Sequence, residues 1–281
     1  MTQNPNPKNS SRRFKFTASR HDILSLLVRY SNLTTNDFYR LLSPPSPDKQ
    51  HSHERDTRRT LLDFTEKGFL VRRRWFDDER NDTPFPVAVS VYGLSKEGLR
   101  LAREKGIANG TGKHAEDSSR RNESVGHELE ITRFHIAIDS LPRKVLWRQT
   151  DLRRQINPDA LFAIARSDGE SAYYYFLEIE KSRQGHYEDG ESGLMKKLGR
   201  YYEYQGSDEC RRDWKHFDRF RVVVVLKNER RRLNLLKALS DRYKTRTFWV
   251  TTEPLYRENP AAPIFLTPKD HAAKSYSFLD I

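Results

Sequence analysis

Residues 173–181, YYYFLEIEK, decide how the second half of this chain is read. The aromatic and aliphatic residues predict a buried β-strand, yet the strand carries two acids, Glu178 and Glu180. Strand side chains alternate, so these carboxylates share one face while Leu177 and Ile179 take the other. Two such groups about 7 Å apart on a largely buried surface repel each other and lose hydration. A cation between them relieves both costs. Asp159, which follows Pro158 at the entry to the neighbouring strand, offers a third carboxylate. Hard oxygen donors of this kind suit Mg²⁺ or Mn²⁺. The alternative is that both glutamates pair with Lys or Arg from a neighbouring strand or helix.

Around this strand the pattern is mixed. SVGHELEITRFHIAIDSL, capped by Ser124, predicts an amphipathic helix bearing His127. KVLWRQT and NPDALFAIAR predict strands, and the turn signal Ser167-Asp168-Gly169 makes the second a hairpin partner of 173–181. SGLMKKLGRYYEYQ reads as a helix that carries Lys196, Lys197 and three tyrosines assigned to packing. FRVVVVLKN is an apolar run of the kind buried on both faces. ERRRLNLLKALSDRY is a helix and TRTFWVTTE a final strand. Trp147 and Trp249 are expected core anchors. This order predicts a mixed α/β sheet with helices on its faces.

The first half reads differently. Residues 1–17 are polar, with Arg12, Arg13 and Lys15, and predict a disordered basic tail. DILSLLVRY, LTTNDFYRLL (with Thr34 and Thr35 as caps) and HERDTRRTLLDFTEKGFL have helical spacing. The third places Leu61, Leu62 and Phe64 on one side and Arg55, Arg58 and Arg59 on the other, with Gly68 as its stop. FLVRRRWF and PVAVSVYGLS predict two short strands, and SKEGLRLAREKG a further helix. Residues 106–122 lack apolar periodicity and predict a linker.

The 281 residues suggest about two domains of ~100–200 residues. A hydrophobic fraction of 36% with 11% aromatics supports two modest cores. The net charge of +12 points to an anionic partner, nucleic acid or an anionic membrane surface. No run of 18 apolar residues exists, so no membrane span is expected. The N-terminus has no apolar segment of a secretory signal, and a single cysteine excludes an internal disulfide. Both fit a reducing, cytoplasmic setting.

The segment LLDFTEKGFLVRRR resembles the recognition helix and wing of winged helix-turn-helix domains, and the likeness covers residues 18–105. It implies that Arg55, Arg58 and Arg59 face a major groove of double-stranded DNA, with Arg72, Arg73 and Arg74 near a phosphate backbone. It also implies pairing into a homodimer on palindromic sites. A solvated face in a protein–protein module is the alternative.

Pro158-Asp159 followed by Glu178-Ile179-Glu180-Lys181 resembles the signature of the PD-(D/E)XK nuclease superfamily. The resemblance implies metal at Asp159 and Glu178, with Glu180 standing where lysine is usual. It implies phosphodiester cleavage, in which Glu180 binds metal or orients water, Lys197 neutralises charge on the phosphate and His127 completes the pocket. The wider layout (GHELEITRF, NPDALFAI, YYFLEIEKS and KKLGRYYEY) resembles the replication-relaxation family of plasmids and mobile elements, related to MobC-class mobilisation proteins. That likeness implies action at a plasmid origin, together with other replication or mobilisation proteins. The expected organisation is therefore a tail (1–17), a winged helix (18–105), a linker (106–122) and a mixed-sheet PD-(D/E)XK-like domain (123–281). The competing reading is a DNA-binding initiator or regulator whose nuclease-like domain is degenerate.

Overall fold

A computed structural model describes residues 17–42, 50–77, 87–108, 122–148, 156–167, 170–181, 193–214 and 219–280. Almost the whole basic tail, most of the linker and part of the Ser167-Asp168-Gly169 turn lie outside these residues. The chain divides into two compact units, residues 1–120 and 121–281.

The first unit runs α1 (Ala18–Tyr30), β1 (Asn32–Thr34), α2 (Thr35–Leu42), α3 (Gln50–Glu66), β2 (Leu70–Asp77), β3 (Val87–Leu94) and α4 (Lys96–Glu104). Its antiparallel sheet has the order β1-β3-β2. Leu24, Leu27, Leu33, Phe38, Leu61, Phe64 and Leu94 are fully buried and form its core. The sequence reading missed β1, whose three residues run straight into α2. Thr34 still caps that helix: its Oγ1 accepts from the Asp37 amide at 3.2 Å, and its own amide donates to Asp37 Oδ2 at 2.8 Å. This reciprocal pair satisfies two backbone donors at the helix start.

Gly68 ends α3 in the left-handed region, with φ of 73°. The amides of Gly68 and Phe69 donate back to the carbonyls of Thr65 and Phe64, closing the last turn. A second glycine, Gly98 in α4, is needed for a different reason. A β-carbon there would lie 2.0 Å from the Phe69 carbonyl oxygen. Only glycine lets α4 approach the start of β2 this closely.

The second unit runs α5 (Asn122–Asp139), β4 (Val145–Arg148), β5 (Ala160–Ala165), β6 (Ala172–Glu180), α6 (Gly193–Gln205), α7 (Asp208–Asp213), β7 (Arg221–Leu226), α8 (Glu229–Arg242), β8 (Phe248–Thr252), α9 (Glu253–Glu258), β9 (Phe265–Thr267) and β10 (His271–Tyr276). Its seven-stranded sheet has the order β10-β9-β8-β7-β6-β5-β4. Strands β6, β7 and β8 are parallel, and the outer pairings are antiparallel. The parallel pairs need crossovers, which α6–α7 and α8 supply.

Both faces of the sheet are covered. Phe176, Val222, Val224 and Val250 pack against Leu198 and Tyr201 of α6 and Leu235 and Leu239 of α8. Tyr175, Leu177, Val223, Val225 and Trp249 pack against Phe134 and Ile138 of α5 and Tyr256 of α9. Alternate valines of β7 therefore feed two different cores, which is why that strand reads as an unbroken apolar run. The unit is a mixed α/β fold. Two details correct the sequence reading. Helix α5 begins at Asn122, so Ser124 lies inside it rather than before its first residue. β8 is not the last strand, because β9 and β10 extend the sheet beyond it. No helix among the described residues is long and apolar enough to cross a membrane.

Candidate functional site

Strand pairing brings the acids together. Ala160 of β5 lies opposite Leu177 of β6, so Asp159, one residue earlier, is level with Glu178. Side chains opposite each other in an antiparallel pair point to the same face. Asp159 is anchored twice: its amide donates to the Leu177 carbonyl at 3.0 Å, and its Oδ2 accepts from the Ile179 amide at 2.7 Å. His127 of α5 adds a third contact, Nε2 to Asp159 Oδ2 at 3.1 Å. Both side-chain bonds fall on Oδ2, so Oδ1 makes none among the described residues.

Glu178 is only 3% exposed. Helix α6 supplies its partners. Lys197 Nζ donates to Oε2 and the Tyr201 hydroxyl donates to Oε1, each at 2.5 Å. Lys197 and Tyr201 lie four residues apart, hence on one side of the helix. Burial, then the charge of Asp159, push the Glu178 pKa up to about 7 against the opposing pull of Lys197 and Tyr201. Tyr201 is itself fully buried, and burial followed by the charge of Glu178 raises its pKa well above the ordinary value. At His127, burial opposes the charged ring. The hydrogen bond and charge of Asp159, with the Ile179 backbone and Glu178, outweigh it and leave the pKa above its ordinary value.

The structure therefore brings together His127, Asp159, Glu178 and Lys197, and adds Tyr201, for which the sequence predicts packing alone. Its signal was the four-residue spacing from Lys197. Among the described residues, no group of three His, Cys, Asp or Glu side chains is placed to hold a metal ion, the expected Asp159, Glu178 and Glu180 included. The cause is strand rise. Glu180 shares the face of Glu178 but lies two residues farther along β6, opposite Leu226 of β7, past the level of Asp159. Lys181 is directed elsewhere, 3.6 Å from both Glu130 and Glu253. Glu130, fully buried on α5, also accepts from Tyr256 and from Arg257, the latter at 2.5 Å.

The arginines of the first unit divide. Arg55, Arg58 and Arg59 are exposed on α3, away from its buried residues Thr57, Leu61 and Phe64. Arg72 and Arg74 lie opposite Tyr92 and Ser90 and share one face of the hairpin, whereas Arg73, opposite Val91, takes the other. The expected run of three is thus split between two faces.

A family model described as replication-relaxation matches residues 24–219, well over half of the chain. The chain belongs to the replication-relaxation family. The match runs from within α1 to beyond α7 and so contains every residue of the site above. A comparison with curated proteins finds no match. Among solved structures, this family member is similar to the restriction endonuclease FokI at 11% identity and a TM-score of 0.30, covering 86% of this chain and 71% of that one. FokI bound to DNA gives 10% identity and a TM-score of 0.28 over the same shares. A likeness that slight bears on neither fold nor chemistry here.

Proposed function

We propose that the protein acts on the DNA of a plasmid or mobile element, and that its second unit nicks that DNA with the help of a divalent ion. The observation that carries this reading is the level pairing of Asp159 and Glu178 with Lys197 at hydrogen-bond distance. The first unit is read as a winged helix that holds duplex DNA through α3 and the β2–β3 hairpin. Membership of the replication-relaxation family supports the setting.

Two carboxylates are a sufficient donor set for Mg²⁺ or Mn²⁺, ions that take their remaining ligands from water and substrate phosphate. Asp159, through its open Oδ1, and Glu178 would hold such an ion. When bound, it supplies positive charge against the phosphate and lowers the pKa of a water. The protein's own residues set the geometry. His127 and the Ile179 amide fix Asp159 by its other oxygen. Tyr201 fixes the orientation of Glu178. Lys197 keeps a positive charge at the position where a phosphate would gain negative charge.

The test is conversion of supercoiled plasmid to open circle with Mg²⁺ or Mn²⁺, comparing the wild type with Asp159→Asn and Glu178→Gln. Loss in both variants supports the reading. Equal nicking by all three proteins sinks it. A second reading, a DNA-binding initiator without catalysis, is favoured by one observation: Lys197 and Tyr201 already occupy both oxygens of Glu178. Plasmid binding without metal-dependent nicking by the wild type would establish it.

A further inference from the structure

A cleft of about 560 Å³ opens in the first unit between α2, α3 and the β2–β3 hairpin. Arg58 enters it from α3, and Arg72 and Arg74 from β2. Tyr39, Leu62, Val89 and Tyr92 line it as well. No carboxylate is among its described lining residues. Arg58, Arg72 and Arg74 make no ion pair or hydrogen bond with any described residue. Three guanidinium groups gathered in a concavity raise one another's energy, and an anion relieves that cost.

Size and charge narrow the anion. Pockets of about 300–1,000 Å³ suit small ligands. A phosphodiester in a DNA backbone carries one negative charge. A terminal phosphate carries about 1.5 to 2 and presents three acceptor oxygens. Arginine engages such a group in a bidentate manner. The aromatic and aliphatic side chains beside the arginines offer surface for a base or sugar.

We propose that this cleft binds a nucleotide through a terminal phosphate, carried either by a free nucleotide or by the 5′-phosphorylated end of a DNA strand. This goes beyond a basic face that grips a passing duplex, and it does not depend on nicking.

The experiment is calorimetric titration of the full chain with thymidine 5′-monophosphate, thymidine and inorganic phosphate. The monophosphate is expected to bind at least about tenfold more tightly than thymidine, the scale of one charge-assisted contact. The double variant Arg72→Ala/Arg74→Ala, with its circular dichroism unchanged, loses that preference. Arg58→Ala, tested separately, weakens it. Arg55→Ala/Arg59→Ala, altered outside the cleft, keeps it. A short oligonucleotide with and without a 5′-phosphate then separates the sources. Much tighter binding of the phosphorylated strand than of the mononucleotide assigns the site to a DNA end, and equal binding assigns it to free nucleotide. Equal affinity for thymidine and its monophosphate, or a preference untouched by the Arg72/Arg74 variant, overturns the proposal. If the wild-type protein still shifts duplex DNA, the failure belongs to the cleft alone and the DNA reading stands.

Discussion

Lys197 meets Glu178 at 2.5 Å, on the face of β6 away from the lysine that directly follows the two glutamates in sequence. The positive charge at the acidic pair thus comes from a helix, while Lys181 serves a separate cluster with Glu130 and Glu253. If the proposed chemistry holds, Lys197→Met should lower metal-dependent nicking by about 100-fold or more, the loss typical for removing one charge-stabilising group. Lys181→Met should leave the rate within a few-fold. Equal loss in both would place the needed charge elsewhere.

Stability should depend on pH through Glu178. Its pKa rises from 4.5 to about 7 on folding. A group raised in this way contributes stability that is complete below pH 4.5 and lost as pH climbs through about 7. The side chain is nearly fully buried, so the loss is on the order of 3 kcal/mol. Urea melts in EDTA should show the wild type falling relative to Glu178→Gln between those two values. Parallel pH profiles would contradict the assignment.

Tyr201→Phe removes the hydroxyl that donates to Glu178 Oε1. A buried oxygen left without its donor costs about 1–3 kcal/mol. Because that bond helps hold the Glu178 pKa down, the variant should also move the pH-dependent loss of stability to higher pH. Denaturant melts over a pH series read both effects.

Gly98→Ala tests the close approach of α4 to β2. The new methyl must displace the Phe69 carbonyl, a backbone atom 2.0 Å away. Overpacking of this kind costs about 1–3 kcal/mol. Thermal unfolding should show the loss in the first unit, with metal-dependent nicking at low temperature retained.

The central parallel strands were legible because their apolar runs are long and bounded by turn signals. β9 and β10 were not, since FLT is too short to show a period and HAAKSY has no apolar alternation. β1 was hidden for the same reason, three residues merging into a capped helix. In the site, alternation correctly placed Glu178 and Glu180 on one face. It is blind to displacement along the strand, which separates Glu180 from Asp159. Alternation also contained the split of Arg72 and Arg74 from Arg73, though the run was read as one patch. The role of Tyr201 was masked because a buried aromatic on a helix is usually packing, and only its register with Lys197 marked its hydroxyl.

Helix α5 is held at two points three residues apart. His127 bonds to Asp159, and Glu130, a neighbour on the same side of the helix, is gripped by Tyr256 and Arg257 of α9. Turning the helix about its axis would break one grip or the other, so its angular setting is locked. The imidazole beside Asp159 is consequently aimed by a cluster it never touches, and loosening α9 would be felt as a misdirected histidine.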